Sequence, residues 1–295
     1  SGSYPMGFHV GSINNEVFQG TPDGKIEGQG FYKGCMQEIL IGSSLFIAPS
    51  NEEYQVILPG AEPSQDNVAQ IMGANPYGNR MHFSIQRMTS GELWYYRYDS
   101  NRGYLRQILP DESGDAALEA DRIIGVFRQP TFIDKQIKMF VAVKSGAAYQ
   151  LYTYTYEQKT SGSDIITCVG KKDITSWAGG MSDDCKMFTN GVEVPLNYLY
   201  IAKGNDLWRT SYESQADPKA VKSFPAPITA AEVVISPPNT ISENTKELYT
   251  AIFTYDTSAK TSKMYVLDAR TDDLKAYSEV ETAIPGKVVR YLANQ

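Results

Sequence analysis

Histidine is nearly absent. His9 and His82 are the only two in 295 residues. That count excludes a zinc site built from three or four imidazoles. A Ser-His-Asp triad would need one of the two, and the sequence has no G-x-S-x-G elbow. Each lies in an apolar run that reads as a strand, where a lone histidine is usually structural. Cysteine is also sparse: Cys35, Cys168 and Cys185, none in a C-x-x-C pair. An odd count at wide spacing argues against a disulfide framework and a zinc knuckle. Cys168 and Cys185 could bridge, but buried free thiols are the plainer reading. No metal and no cofactor is expected.

No run of 18 apolar residues exists, so no membrane-spanning helix is expected. No signal-peptide pattern is visible, and the opening SGSYPMGF reads like the cut end of a processed protein. Basic residues do not cluster beyond the pair Lys171-Lys172, the net charge is −7 and the pI is near 5.0. A nucleic-acid binder would carry a basic patch or stripe. Helical patterning is scarce as well; the best candidate is DAALEADR at 115–122.

What the chain has is tyrosine, 20 of them against 11 Phe and 3 Trp. Tyr suits half-buried strands, because it joins a broad apolar ring to a polar tip. Short runs of Tyr, Val, Ile, Phe and Thr are broken by Gly, Asn, Asp and Pro, the pattern of an all-β chain. These runs repeat. An apolar-aromatic pair recurs as Leu93-Trp94, Leu151-Tyr152, Leu207-Trp208 and Met264-Tyr265. From 94 to 152 to 208 to 265 the steps are 58, 56 and 57 residues.

The same kind of strand precedes each pair, at 81–88, 138–143, 198–204 and 247–253. Another follows, at 104–109, 164–169, 219–224 and 274–280. A further apolar run opens each unit, at 67–73, 122–127, 185–191 and 231–236. Two shorter hairpins are expected at 8–24 and 44–60. Four-stranded units repeated around an axis make a β-propeller. The expectation is a single propeller over 1–295 with about six four-stranded blades, five to seven fitting the spacing. The lone strand KVVRYLANQ at 287–295 should join the N-terminal blade and close the ring, removing open edges. Two β-sandwich domains would repeat at about 100 residues instead.

Candidate chemistry is thin. Asp99, Asn101 and Gly103 resemble half a calcium loop, but position twelve holds Pro110 where a Glu is required. A β-turn is the better reading. A propeller glycosidase needs converging carboxylates. Asp66, Asp121, Asp184 and Glu232, each near the start of an expected inner strand, are the candidates, and no S-x-D-x-G-x-T-W box supports them. The most unusual loop is SWAGGMSDDC at 176–185. A tryptophan in a polar, Gly-rich loop suggests binding, since exposed loop aromatics stack on ligands and nearby aspartates accept hydroxyl hydrogen bonds. Trp177, Asp183 and Asp184 are the candidate ligand-binding residues, with Tyr77 in ANPYGNR as a weaker one. Trp208 is expected to be architecture.

Strand pairs such as YLYIAKGNDLWRTSYE and ELYTAIFTYDTSAKTSKMYVLD resemble the C-terminal propellers of PKD-like surface lipoproteins of gut Bacteroidetes. The likeness covers most of the chain, with loose motifs. It implies export to the cell surface or outer membrane and an anchor upstream. It also implies SusC/SusD-type outer-membrane partners and a glycan or peptide ligand. With no catalytic constellation in the sequence, the functional expectation is a non-catalytic accessory or binding module. The alternatives are a carbohydrate-active propeller hydrolase or lyase, and a structural interaction scaffold.

Overall fold

Alternation of apolar and polar side chains, with a turn every six to ten residues, is realised as strands throughout. The computed structural model describes residues 27–28, 44–48, 83–88, 90–99, 102–128, 137–189, 198–236, 247–268, 277–279, 284–285 and 287–292. The chain begins with β1 (Glu27–Gly28) and β2 (Ser44–Ala48). A sheet of β3 (Phe83–Arg87), β4 (Leu93–Asp99) and β5 (Gly103–Ile108) follows. The next holds β6 (Arg122–Arg128), β7 (Ile137–Ser145), β8 (Ala148–Glu157) and β9 (Ile165–Asp173). A third comprises β10 (Lys186–Thr189), β11 (Tyr198–Lys203), β12 (Asp206–Ser211) and β13 (Lys219–Ser223). A fourth comprises β14 (Ile228–Ser236), β15 (Glu247–Asp256), β16 (Thr261–Asp268) and β17 (Tyr277–Glu279), with β18 (Ile284–Pro285) also on β16. The last strand, β19 (Lys287–Leu292), pairs with β2, which pairs with β1. All these pairings are antiparallel.

The strand positions follow the sequence repeat closely. Leu93, Leu151, Leu207 and Met264 lie on β4, β8, β12 and β16, and all four are fully buried. Their aromatic neighbours point to the opposite face, as successive strand residues must. Tyr152 and Tyr265 are buried there, whereas Trp94 and Trp208 are only half-buried. The apolar member of each pair is therefore the constant core position. On the aromatic face, cations from the following strand cap two rings: Arg106 lies 5.3 Å from the Trp94 centroid and Lys171 5.6 Å from that of Tyr152.

Of the finer expectations, one is corrected, the helix at 115–122. The described residues form five sheets, and no six-blade ring is seen among them. The hairpin expected at 8–24 and the strand at 67–73 lie outside the described residues. The segment 115–122 is not a helix. Leu118 and Ala120 are buried in alternation, and the Leu118 and Ala120 amides donate to the Leu109 and Gly91 carbonyls. That period-two burial places the segment as extended chain against the hairpin at Gly91. Cys168 and Cys185 are free thiols, as the plainer reading had it.

The opening strands of the sheets pack on one another. β6 lies against β10, β10 against β14, and β14 against β19. Three of these four carry a bulge near the start, at Ile123/Gly125, Ile228/Ala230 and Val288/Arg290. A bulge sharpens twist and bends a strand. The same device thus recurs on β6, β14 and β19.

Candidate functional site

Among the described residues, three connections between sheets (109–121, 174–185 and 224–227) run over the hairpins that join β3 to β4, β7 to β8, β11 to β12 and β15 to β16. Each connection bonds back to the hairpin region of its own sheet. The Leu109 amide donates to the Leu93 carbonyl at 2.9 Å, Ile174 to Tyr149 at 2.9 Å and Phe224 to Asn205 at 2.9 Å. Each then reaches the hairpin of the next sheet. The Asp121 amide donates to the Lys144 carbonyl at 2.8 Å. Lys203 Nζ donates to the Gly180 carbonyl at 2.7 Å, and the Tyr255 amide to the Pro227 carbonyl at 2.9 Å. Hairpins and connections thus form one continuous face.

The connection at 174–185 carries the loop singled out above. Its 3-10 turn, Trp177–Gly179, is followed by Gly180, and Ala178, Gly179 and Gly180 all have positive φ (54°, 72° and 112°). Two glycines accept such angles without strain, while Ala178 must bear its Cβ in the left-handed region. This backbone turns the indole inward. Trp177 is 2% exposed and sits in the main apolar cluster with Met181 and Cys185. Lys172 Nζ lies 6.0 Å from its ring centroid. The expectation of an open aromatic platform is corrected: Trp177 is buried in the main apolar cluster.

Asp183 is exposed and held from two elements. Lys144 Nζ lies 2.8 Å from Oδ1 and donates to Oδ2 at 3.0 Å, and the Tyr149 hydroxyl donates to Oδ1 at 2.5 Å. The Lys144 ammonium, then the Tyr149 hydroxyl, hold the Asp183 carboxyl below the usual carboxylate range. Burial, with the Asp183 charge, pushes the Tyr149 phenol up to about 12. Neither group is suited to proton abstraction near neutrality: the carboxylate is a weakened base and the phenol keeps its proton. Asp184 accepts from the Ser182 hydroxyl within the same turn. Tyr77 and Asp66 lie outside the described residues, as do His9, His82 and Cys35.

The structure does not bring the remaining acids together. Asp121 accepts the Gly146 amide at 2.7 Å and serves the hairpin. Glu232 lies within β14 opposite Ala251. It is the one carboxylate-bearing residue in β6, β10, β14 and β19. The two-carboxylate expectation therefore finds no pair on these strands. Among the described residues no group of three His, Cys, Asp or Glu could hold a metal ion. What sequence reasoning missed is the linkage of Asp183 to Lys144 and Tyr149, 39 and 34 positions away. No local signal encodes it.

No family model matches this chain, and no curated protein matches it. Among solved structures, it is similar to a chimera of ACO and RPE65, at 13% identity and TM-score 0.41 over 86% of this chain and 58% of that one. It is also similar to a mutant of Synechocystis apocarotenoid oxygenase (13% identity, TM-score 0.35, 92% of this chain and 79% of that one). The cobalt-substituted form of that oxygenase matches at 12% identity and TM-score 0.35, over 98% and 82%. The chain spans less than two thirds of the chimera. The Synechocystis proteins are oxygenases, and the expectation of a non-catalytic accessory module is corrected against them. A TM-score below 0.5 at such identity brings no activity to this chain.

Proposed function

We propose that the chain is a closed β-propeller whose ligand-handling face is the one formed by the sheet-to-sheet connections and the hairpins beneath them. One observation carries this reading. Three successive connections bond back to their own sheet's hairpin and forward to the next sheet's hairpin, which is how a ring of sheets lays down one end. Pairing of β19 with β2 and packing of β19 on β14 support closure through the C-terminal strand. Loops on a rigid scaffold are where ligand contacts concentrate.

The Tyr-rich hairpins support a place among PKD-like surface lipoproteins. That reading sets the chain at the cell surface or outer membrane, beside SusC/SusD-type proteins, with a glycan or peptide as ligand. The test is hydrogen exchange of the purified chain alone, with oligosaccharide and peptide panels, and with a purified SusC/SusD-type complex. Product analysis of the same incubations reads turnover. Protection should gather at 109–121, 174–185 and 224–228. Protection confined to the opposite turns, at 99–103, 157–165 and 211–219, would refute the assignment of the face.

A further inference from the structure

The connection at 174–185 is a strap with few fastenings. At Gly180 it is held by Lys203, and at Asp183 by Lys144 and Tyr149. At its root the Ile174 amide donates to the Tyr149 carbonyl and the Tyr149 amide donates to the Thr175 hydroxyl. Ala178 in the left-handed region favours release, since its Cβ is strained there. The strap's own Trp177, Met181 and Cys185 are buried in the main apolar cluster with residues of both neighbouring sheets. We propose that the charge of Asp183 latches this strap, and that neutralising this one carboxylate lets the strap lift from that cluster while both sheets stay folded. The inference rests on the strap's geometry and stands whether or not the proposed face binds a ligand.

The charged and titratable groups around the latch come from every neighbouring element. β6 contributes Arg122, β7 Lys144, β8 Tyr149, β9 Lys172 and Asp173, which accepts the Thr175 amide, and β11 Lys203, and the strap itself adds Asp184 and Cys185. Two cations therefore act on Asp183 directly, Lys144 by contact and Arg122 at longer range. Because the carboxyl is held below its ordinary value, its contribution is complete above the unfolded-state value near 3.8 and is lost as pH falls through the lower folded-state value. The latch is thus closed at neutrality and opens only in strong acid, unless a ligand competes for Lys144 or Tyr149. Opening would uncover an indole and apolar wall on the proposed face.

The test is Asp183→Asn in the full chain at neutral pH. Charge-assisted bonds contribute more than neutral ones, so exchange of the 175–185 amides should speed about tenfold. Protection in β7, β8, β11 and β12 should not change. Lys144→Met, which keeps the Tyr149 bond, should speed strap exchange by a smaller factor. In a background with Trp94→Phe and Trp208→Phe, Trp177 is the sole indole. Its quenching by acrylamide should rise in acid with a midpoint below about 3.9, and should be high and flat in the Asp183→Asn version. Unchanged strap exchange in both variants overturns the proposal. So does an equal loss of protection across both sheets, which would make Asp183 a stabiliser of the whole fold rather than a latch.

Discussion

Gly125 marks a close approach of β6 to β10, and replacing it tests how these two strands pack. It lies at the bulge of β6. A Cβ built there would sit 3.0 Å from Met187 Cβ and 3.4 Å from the Met187 carbonyl oxygen, on β10. Favourable carbon contacts fall at about 3.5–4.0 Å, so the strands must part by several tenths of an ångström. The neighbour is a Cβ, fixed by the backbone, and side-chain rotation cannot relieve it. Overpacking of this kind costs about 1–3 kcal/mol. Gly125→Ala should therefore lower the urea midpoint with the m-value unchanged. Two second-site variants give the cause. Met187→Ala keeps the offending Cβ, and Met187→Gly removes it. In double-mutant cycles, coupling of about 1 kcal/mol should appear with Met187→Gly and vanish with Met187→Ala. A Gly125→Ala protein within about 0.5 kcal/mol of the parent would refute the contact. Equal relief by both Met187 variants would also refute it.

Ala178→Gly relieves a left-handed alanine without removing any packed atom beyond one methyl that is 4% exposed. Thermal or urea unfolding should show stabilisation of up to about 1 kcal/mol, the net of relieved strain and glycine's entropy. Leu207→Ala and Trp208→Ala separate the two members of the repeated pair. Leu207 is fully buried, and its loss should cost about 2–5 kcal/mol; half-buried Trp208 should fall short of the about 3–5 kcal/mol of a fully buried tryptophan. Equilibrium denaturation reads both. A Trp208→Ala loss clearly above that of Leu207→Ala would return the core role to the aromatic.

Strand positions were legible because their signal is local. Four apolar-aromatic pairs at a nearly constant step located β4, β8, β12 and β16, and the runs on either side located their neighbours. The C-terminal run 287–295 was read as a strand lacking a sheet of its own, and β19 does pair with β2 near the other end of the chain. The count of units was less legible. The two N-terminal hairpins lacked the 57-residue step, and one short sheet, β1 and β2 with β19, is what the described residues contain there. The segment 115–122 misled for a physical reason. Its Ala, Leu and Glu content favours helix as an isolated peptide, but Leu118 and Ala120 bury themselves by pairing with a hairpin, and tertiary contact outweighs a propensity of tenths of a kcal/mol.

The loop at 176–185 shows where local reading stops. Composition alone makes Trp177 look exposed, since Gly, Ser and Asp surround it. The direction of a side chain, however, is set by backbone angles, and two glycines followed by a polar turn can aim a ring either way. Here three consecutive left-handed residues turn it inward. The polar residues then fasten the loop from outside: Asp183 takes Lys144 and Tyr149, and Lys203 takes the Gly180 carbonyl. A hydrophobic plug under a polar latch and a binding platform have the same composition. They differ in the partners of the aspartate, which come from strands more than thirty residues away. The same distinction decides the chemistry. An aspartate free to accept a ligand's hydroxyl would have open lone pairs, whereas Asp183 is already held by an ammonium and a phenol. A ligand that takes Oδ1 of Asp183 must therefore compete with Lys144 and Tyr149, so that binding at that oxygen and strap release become a single coupled event.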